Sequence, residues 1–564
     1  MEPTPRRDPK SLQGYPPVLP DMQDWPIYRL AQQREALIAD VVERAGKELL
    51  EQFSQGKGLL RNIAEVYYQE RIRIQENPWK ADPKDEPAFW KRIRNKLQYL
   101  ALPGHEDQEA TRAVMREIVT RYAREIAGDF RPSTYHFARK FANFGFSLIF
   151  NAAQEGLFRN FRKRRRQLQE KMQLVGETDR LRQLAKQGTV ILVPTHFSNL
   201  DSIVVGWAIE TLGLPAFTYG AGINLFGHPI LCYFMSRLGA FRVDRRKKNS
   251  AYLTVLKIYS EEILLRGGHM LFFPGGTRSR SGGLEGSLKL GLLGTAIETQ
   301  RALLQQKPEN PGKIYIVPLV ISYHSVLEAR SLIDEHLRRE GKEQFVLLRD
   351  DFGSIRNNMR FAWNFFKSSS EMVLSFGEPM DLFGNRLDEQ GESVDKYGRM
   401  IDLHDYFKPA AGREAPDAQR SQEYTRLLGG RILERFQKEN VVFSSHLVAY
   451  AAWHLLLGSH HGDLYSLLSV PEEDLRVGWE DFQKTVERLH VRLSELERLG
   501  QVRLARHLHT DIRTVIAHGL KNLGVYHLKL PLLQGSDGDV RTQDLRLLYF
   551  YANRLQGYGL DKYV

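Results

Sequence analysis

The sequence predicts an α/β fold: a mixed, mostly buried sheet covered by helices and flanked by N- and C-terminal helical regions. Three observations predict it. Short runs rich in Ile, Val and Phe that end at Pro or Gly ("TVILVP", "HMLFFPGG", "KIYIVPLVISY", "EMVLSFGEP") suit buried strands. Between them, "LDSIVVGWAIETLG", "NSAYLTVLKIYSEEILLRGG" and "LKLGLLGTAIETQRALLQQ" have the length of covering helices. Before and after this block the apolar residues recur at helical spacing instead.

Taken in order, residues 1–25 open with "MEPTPRRDPKSLQGYPP", Pro-rich, charged and without an apolar signal segment, and read as a disordered tail. Residues 26–135 form an N-terminal helical region: "IYRLAQQREALIADVVERAGKELLEQF" is amphipathic, and "RNKLQYLALPG" closes on Pro103 and Gly104. Residues 136–185 read as amphipathic membrane-interface helices. Phe137, Phe141, Phe144 and Leu148 share one face, and the basic cluster Arg162 to Arg166 closes the segment. Each basic residue near an anionic surface contributes about 1 kcal/mol of attraction, enough together for reversible attachment. The catalytic domain spans 186–385, a polar, Gly- and Asp-rich linker 386–422, and a C-terminal helical domain 423–564. Within the last, "VVFSSHLVAYAAWHLLLG" (Val441 to Gly458) is uncharged and nearly long enough to span a bilayer. Ser444, Ser445, His446 and His454 favour a buried core helix. We see no internal repeat.

At 564 residues and 42% hydrophobic, the chain has material for sizeable cores and more than one structural region. Its net charge of +12 suits an acidic partner: nucleic acid, an anionic membrane surface or a phosphorylated substrate. A nucleic acid is disfavoured, because the chain has no recognition helix, zinc-ligand spacing or aromatic–basic ladder. The single cysteine, Cys232, rules out an intrachain disulfide and a thiolate zinc site.

The chemistry concentrates behind "TVILVP". Of 17 histidines, only His196 has an aspartate five residues on, Asp201. A His at a strand end and an Asp opening the next helix can hydrogen-bond, which fixes the imidazole tautomer and frees its other nitrogen to take a hydroxyl proton. Downstream, "LGAFRVDRR" supplies Arg245 and Arg246, and "FFPGGTRSRSG" supplies a Gly-Gly turn followed by Arg278 and Arg280. Guanidinium groups make charge-assisted, often bidentate bonds to phosphate. In "IYIVPLVISY", Pro318 interrupts the strand, which places it at an edge or strand end.

The order H-x4-D, G-A-F-x-V-D-R, F-P-x-G-T-R-S and V-P-L-V resembles the four blocks of the glycerolipid acyltransferases. "AGINLFGHPILCYFMSRLGAFRVDRR", "TRSRSG" followed by "KLGLL", "SSHLVAYAAWHLL" and the late "LLYFYANRL" resemble the large glycerol-3-phosphate and dihydroxyacetone-phosphate O-acyltransferase branch. The resemblance covers about Val190 to Pro379. It implies that His196 is the general base and Asp201 its orienter. It also implies that Arg245, Arg278 and Arg280 contact phosphate, that Gly276 makes the turn, and that Pro318 lies on the acyl-donor side. The implied reaction transfers a fatty acyl group from acyl-CoA or acyl carrier protein to glycerol 3-phosphate, giving lysophosphatidate, with no cofactor and no metal. The implied setting is peripheral, on the cytoplasmic face of a membrane. Where the family motif reads F-P-E-G this chain has Gly275, and that Glu is linked to acceptor binding. Dihydroxyacetone phosphate, lysophosphatidate and a catalytically silent lipid-binding protein therefore stay open as alternatives. Should Gly275 sit at positive φ, a Glu there would strain the turn.

Overall fold

A computed structural model describes residues 15–54, 58–105, 107–139, 172–223, 226, 229–306, 312–339, 371–408, 418–460, 464–525, 527–535 and 538–564. Among the described residues a short helix, Pro26–Gln32, comes first, followed by α1 (Arg34–Ser54), α2 (Leu59–Glu76), α3 (Glu86–Leu100) and α4 (Gln108–Ile126). Then strands and helices alternate: β1 (Met172–Gly176), α5 (Thr178–Gln187), β2 (Thr189–Pro194), α6 (Asp201–Thr211), β3 (Thr218–Gly222), β4 (Ala240–Val243), α7 (Ser250–Leu265), β5 (Met270–Leu271), α8 (Gly291–Gln306), β6 (Ile314–Tyr323), α9 (Ala329–Arg339) and β7 (Met372–Phe376). The C-terminal helices include α10 (Ala418–Glu439), α11 (Ser444–Ser459), α12 (Trp479–Arg498), α13 (Ile512–Asn522) and α14 (Leu545–Ala552).

The seven strands form one mixed sheet in the order β1-β7-β6-β2-β5-β3-β4. Strands β2 to β6 run parallel, and β7 turns back antiparallel to β6 with β1 parallel beside it. Every residue of β2 and β6 is buried, which their unbroken apolar runs require. Successive side chains take opposite faces. Ile191 and Val193 pack with Val255 and Ile258 of α7, Leu428 and Ile432 of α10, and Val41 and Ile118 of the N-terminal helices. Val190 and Leu192 pack on the other face with Val205 of α6, Leu447 of α11 and Leu548 of α14. The flanking helices therefore complete the two faces of the sheet's own core. α11 is a buried core helix, as its polar residues indicated, and no helix among the described residues is long and apolar enough to cross a membrane.

Four sequence expectations change. The tail is ordered from Tyr15: the Tyr15 N–H donates to Thr211 O at 3.2 Å and the Val18 N–H to Gly213 O at 2.7 Å, while Val18 and Trp25 are buried. Residues 172–185 belong to the α/β core rather than to a membrane interface: "MQLVG" finds a complete parallel partner in β7, and α5 after it buries Leu181 and Leu184. Residues 136–139 are helical, with Phe137 exposed and stacked on Phe234, and residues 140–171, with Phe141 to Arg166, lie outside the described residues.

Within the stretch read as a linker, residues 386–408 are a folded strap, and from Asp381 onward the chain contains a repeat. Asp381, Asp388 and Asp395 recur every seven residues, each followed three later by a glycine at positive φ: Gly384, Gly391 and Gly398. Each Asp Oδ1 accepts backbone N–H groups two and four residues on, so the side chain closes the turn that the glycine's left-handed backbone opens. Finally, Pro318 lies inside β6, not at an end or edge. Its side of the ladder is where the neighbouring chain changes over, from β7 to the Met380 bridge on Ile316, and Gly377 N–H donates to Pro318 O at 2.8 Å. No backbone donor is required of residue 318 there, so proline is tolerated.

Candidate active site

The carboxyl ends of parallel strands are where α/β sheets gather ligand groups. Three of the four sequence blocks arrive there: His196 after β2, Arg245 after β4, and Phe273 to Arg280 after β5; Tyr323, at the end of β6 and beyond the fourth block, joins them. His196 Nδ1 donates to Asp201 Oδ2 at 2.7 Å, which leaves Nε2 as the proton acceptor. Asp201, in the first turn of α6, is fully buried and accepts three further donors. These are the N–H of Phe197 at 2.6 Å, the N–H of Ser198 at 2.9 Å and the Tyr323 hydroxyl at 2.5 Å. Burial, then the Asp201 charge, holds the Tyr323 hydroxyl well above its usual range, so it stays protonated and donates. The His196 ring also stacks on Phe273 at 4.1 Å.

Tyr323 is held in turn from the C-terminal region. His446 of α11 meets Tyr323 O through Nε2 at 3.0 Å while its Nδ1 accepts the Phe443 N–H. Arg554, just beyond α14, lies 4.1 Å from the Phe197 ring centroid and donates to Ile321 O, Ser322 Oγ and Asn440 Oδ1. Burial pushes this guanidinium down to about 10, still cationic at neutral pH. Neither residue was picked out from the sequence as part of the site, although both lie in segments that carry the resemblance.

The three expected phosphate arginines are placed differently. Arg278 sits 3.3 Å from Glu328, whose carboxylate also takes the Ser198 hydroxyl and the Asn199 N–H of the His196 loop. Arg280 pairs with Glu335 at 2.9 Å. Arg245 has no carboxylate partner among the described residues, and burial together with the nearby Arg280 charge lowers its affinity for a proton. An anion that neutralises Arg245 and Arg280 together relieves that repulsion. The second arginine of the same block, Arg246, is taken by Asp82 and Asp244. Gly276 makes the turn, at φ 78°, with its N–H on Phe273 O at 3.0 Å. Pro318 is buried within the sheet and shapes β6, rather than lining a surface with the arginines.

Among the described residues, His324, His507 and His518 come close enough to hold a metal ion, their ligand atoms within 4.8 Å of one another. Their geometry fits one poorly. His507 and His518 lie ring over ring at 4.2 Å and 33°, so their in-plane lone pairs do not converge, and His507 Nε2 already accepts the Ser444 N–H. The cluster packs β6 against the C-terminal helices.

Residues 175–322 match the family model described as Acyltransferase. The chain is 29% identical over 46% of its length to the glycerol-3-phosphate acyltransferase of Alteromonas mediterranea, a match covering 28% of that protein. It is 32% identical over 37% of its length to the glycerol-3-phosphate acyltransferase of Hamiltonella defensa, covering 24% of it. The matches thus span about a quarter of the length of these curated relatives. Among solved structures, the 1-acyl-sn-glycerophosphate acyltransferase of Thermotoga maritima matches with a TM-score of 0.24 at 16% identity, over 56% of this chain and 94% of that one. Residues 175–322, which carry the motif blocks, are thus similar to an acyltransferase domain, and the chain is similar over part of its length to these glycerol-3-phosphate acyltransferases.

Proposed function

We propose that the protein transfers a fatty acyl group from acyl-CoA or acyl carrier protein to a hydroxyl of glycerol 3-phosphate, producing lysophosphatidate. The observation that carries this reading is the His196–Asp201 pair, held by four donors to one buried carboxylate, at the same strand ends as Arg245, which has no carboxylate partner among the described residues. The acceptor phosphate docks on Arg245 and Arg280, with Arg278 recruited from Glu328. His196 Nε2 takes the hydroxyl proton as the oxygen attacks the thioester carbonyl. The tetrahedral intermediate collapses, the C–S bond breaks, and the imidazolium returns its proton to the leaving thiolate. Base catalysis of this kind accelerates transfer about 10²–10⁴-fold. The curated relatives carry this activity in their names, and Gly275 keeps dihydroxyacetone phosphate and lysophosphatidate as competing acceptors.

The test is thiol release from acyl-CoA and from acyl carrier protein, with each of the three acceptors, by wild type and His196→Ala. We expect glycerol 3-phosphate to give the fastest rate and His196→Ala to lose at least a hundredfold with thermal stability unchanged. Loss of less than tenfold removes His196 as the base, and wild-type inactivity with every pair removes the enzymatic reading. The basic, Phe-rich segment up to Arg166 supports a peripheral seat on the cytoplasmic face of an anionic membrane. We expect co-sedimentation with anionic vesicles that falls with salt and when Arg162 to Arg166 are replaced by Gln. Binding unaffected by both changes sinks this assignment.

A further inference from the structure

Gly275 stands where the family motif carries a glutamate. Its backbone does not forbid a side chain, because the glycine at positive φ is its neighbour, Gly276. What stands in the way is another carboxyl group. A Cβ on Gly275 would lie 2.9 Å from Glu285 Cγ and 3.4 Å from its Oε1. Glu285 reaches this place because the chain beyond Arg280 doubles back, and the Lys289 N–H closes the return on Pro274 O at 2.7 Å.

There Glu285 Oε1 accepts the backbone N–H of His196 at 2.8 Å. This N–H needs a partner: β2 has ended at Pro194, and the bond from the preceding residue, Thr195 N–H to Leu319 O, goes to β6. The His196 carbonyl is fixed from the same loop, by the Ser279 N–H at 2.7 Å. Glu285 Oε2 is buried without a hydrogen-bond partner among the described residues. We propose that Glu285 is a positioning residue for His196, a carboxyl that fills the space beside Gly275 and fixes the base from ten residues further along the chain.

This inference rests on His196 being the base and makes a claim of its own: the carboxyl is exchangeable between positions 275 and 285. Burial pushes Glu285 up to about 7, against the lowering effects of the His196 N–H, Arg554 and His196 itself. Its charge therefore changes near neutrality, beside the imidazole.

The experiment compares Glu285→Ala, Glu285→Gln, Gly275→Glu and the double variant Gly275→Glu/Glu285→Ala. It uses palmitoyl-CoA and whichever of the three acceptors wild type uses fastest, with kcat, pH profile and thermal stability measured. Glu285→Ala should lower kcat about tenfold or more by orphaning the His196 N–H. Gly275→Glu alone should lose stability and rate, because two side chains compete for one space. The double variant should recover to within about threefold of wild type, the size of one modest hydrogen-bond difference. Glu285→Gln keeps an oxygen for the N–H and should retain most of the rate, while the limb near pH 7 that the ionisation of Glu285 itself gives the kcat/KM profile disappears. A role in stability alone would leave that limb in place. Full activity of Glu285→Ala, or a folded double variant no faster than the slower single one, overturns the inference. If instead His196→Ala is active, the base assignment itself fails; an inactive His196→Ala with no rescue sinks only the exchange.

Discussion

At the residue scale, the site turns on how many donors a single buried carboxylate can organise. Asp201 holds the tautomer of His196 through one bond and the backbone entering α6 through two more, and the Tyr323 hydroxyl satisfies the remaining oxygen. Asp201→Asn keeps the shape but offers an amide where Phe197 and Ser198 need an acceptor. We expect a loss of kcat approaching that of His196→Ala. Tyr323→Phe removes one bond to a charged group, worth roughly 1.5–3 kcal/mol, and should cost about tenfold or more in kcat with KM for the acceptor unchanged. Equal kcat for Tyr323→Phe and wild type would mean that Asp201 is held without it. The pair His196 and Asp201 was legible because both residues lie in one short loop at a strand end. Tyr323 was not, since its partner is 122 residues away and only strand register brings β6 alongside β2. Gly275 was legible as a departure from the motif, but its explanation, Glu285, required the fold of the loop between them.

At the element scale, the parallel strand ends place the blocks and the N-terminal helices hold them. Arg246 binds Asp82, Lys247 binds Glu125 at 2.6 Å, and Asn249 donates to Glu70 at 2.8 Å, so three residues after β4 are clamped to helices or loops of the N-terminal region. Arg245, between Asp244 and this clamp, is left to face the site. The strand ends were legible from apolar runs that stop at Pro or Gly. The clamp was not, because an arginine beside an aspartate in sequence does not reveal which of two adjacent guanidiniums will be buried in ion pairs. We expect Arg245→Ala to raise the acceptor KM more than Arg280→Ala, whose guanidinium is already shared with Glu335. Arg246→Ala should instead lower thermal stability first, by breaking a partly buried pair. If Arg245→Ala leaves the acceptor KM unchanged while Arg280→Ala raises it, the phosphate seat belongs to the other loop.

At the scale of the whole molecule, the sheet and its flanking helices share cores, so protonation anywhere in them bears on the catalytic edge. Three buried histidines sample that continuity. His269 precedes β5 and its Nδ1 accepts the Val190 N–H, His446 belongs to α11, and His527 lies between α13 and α14 with Nε2 2.8 Å from the Tyr551 hydroxyl. Burial pushes all three down, to about 4, 3 and 4 respectively. In the unfolded chain each titrates near 6.5. Between that value and the folded one, the unfolded state binds the proton and the native state does not, so stability rises with pH and is lost as pH falls through this window. Each withheld proton costs roughly 3 kcal/mol by pH 4, and three together approach the ~5–15 kcal/mol that holds a whole domain. Glu285 acts in the opposite sense, as do the buried carboxyls of Glu86, Glu261 and Asp381, since a raised pKa adds stability in acid, while the buried His324, lowered well below its usual value, adds to the histidine side. We therefore expect one cooperative thermal transition that moves steadily down between pH 7 and pH 4.5, with catalytic activity and far-UV ellipticity lost together. His446→Gln should flatten the slope, because the amide cannot take up a proton in the unfolded chain. A midpoint independent of pH across that range, or a C-terminal transition separate from loss of activity, would contradict both the buried neutral histidines and the shared core.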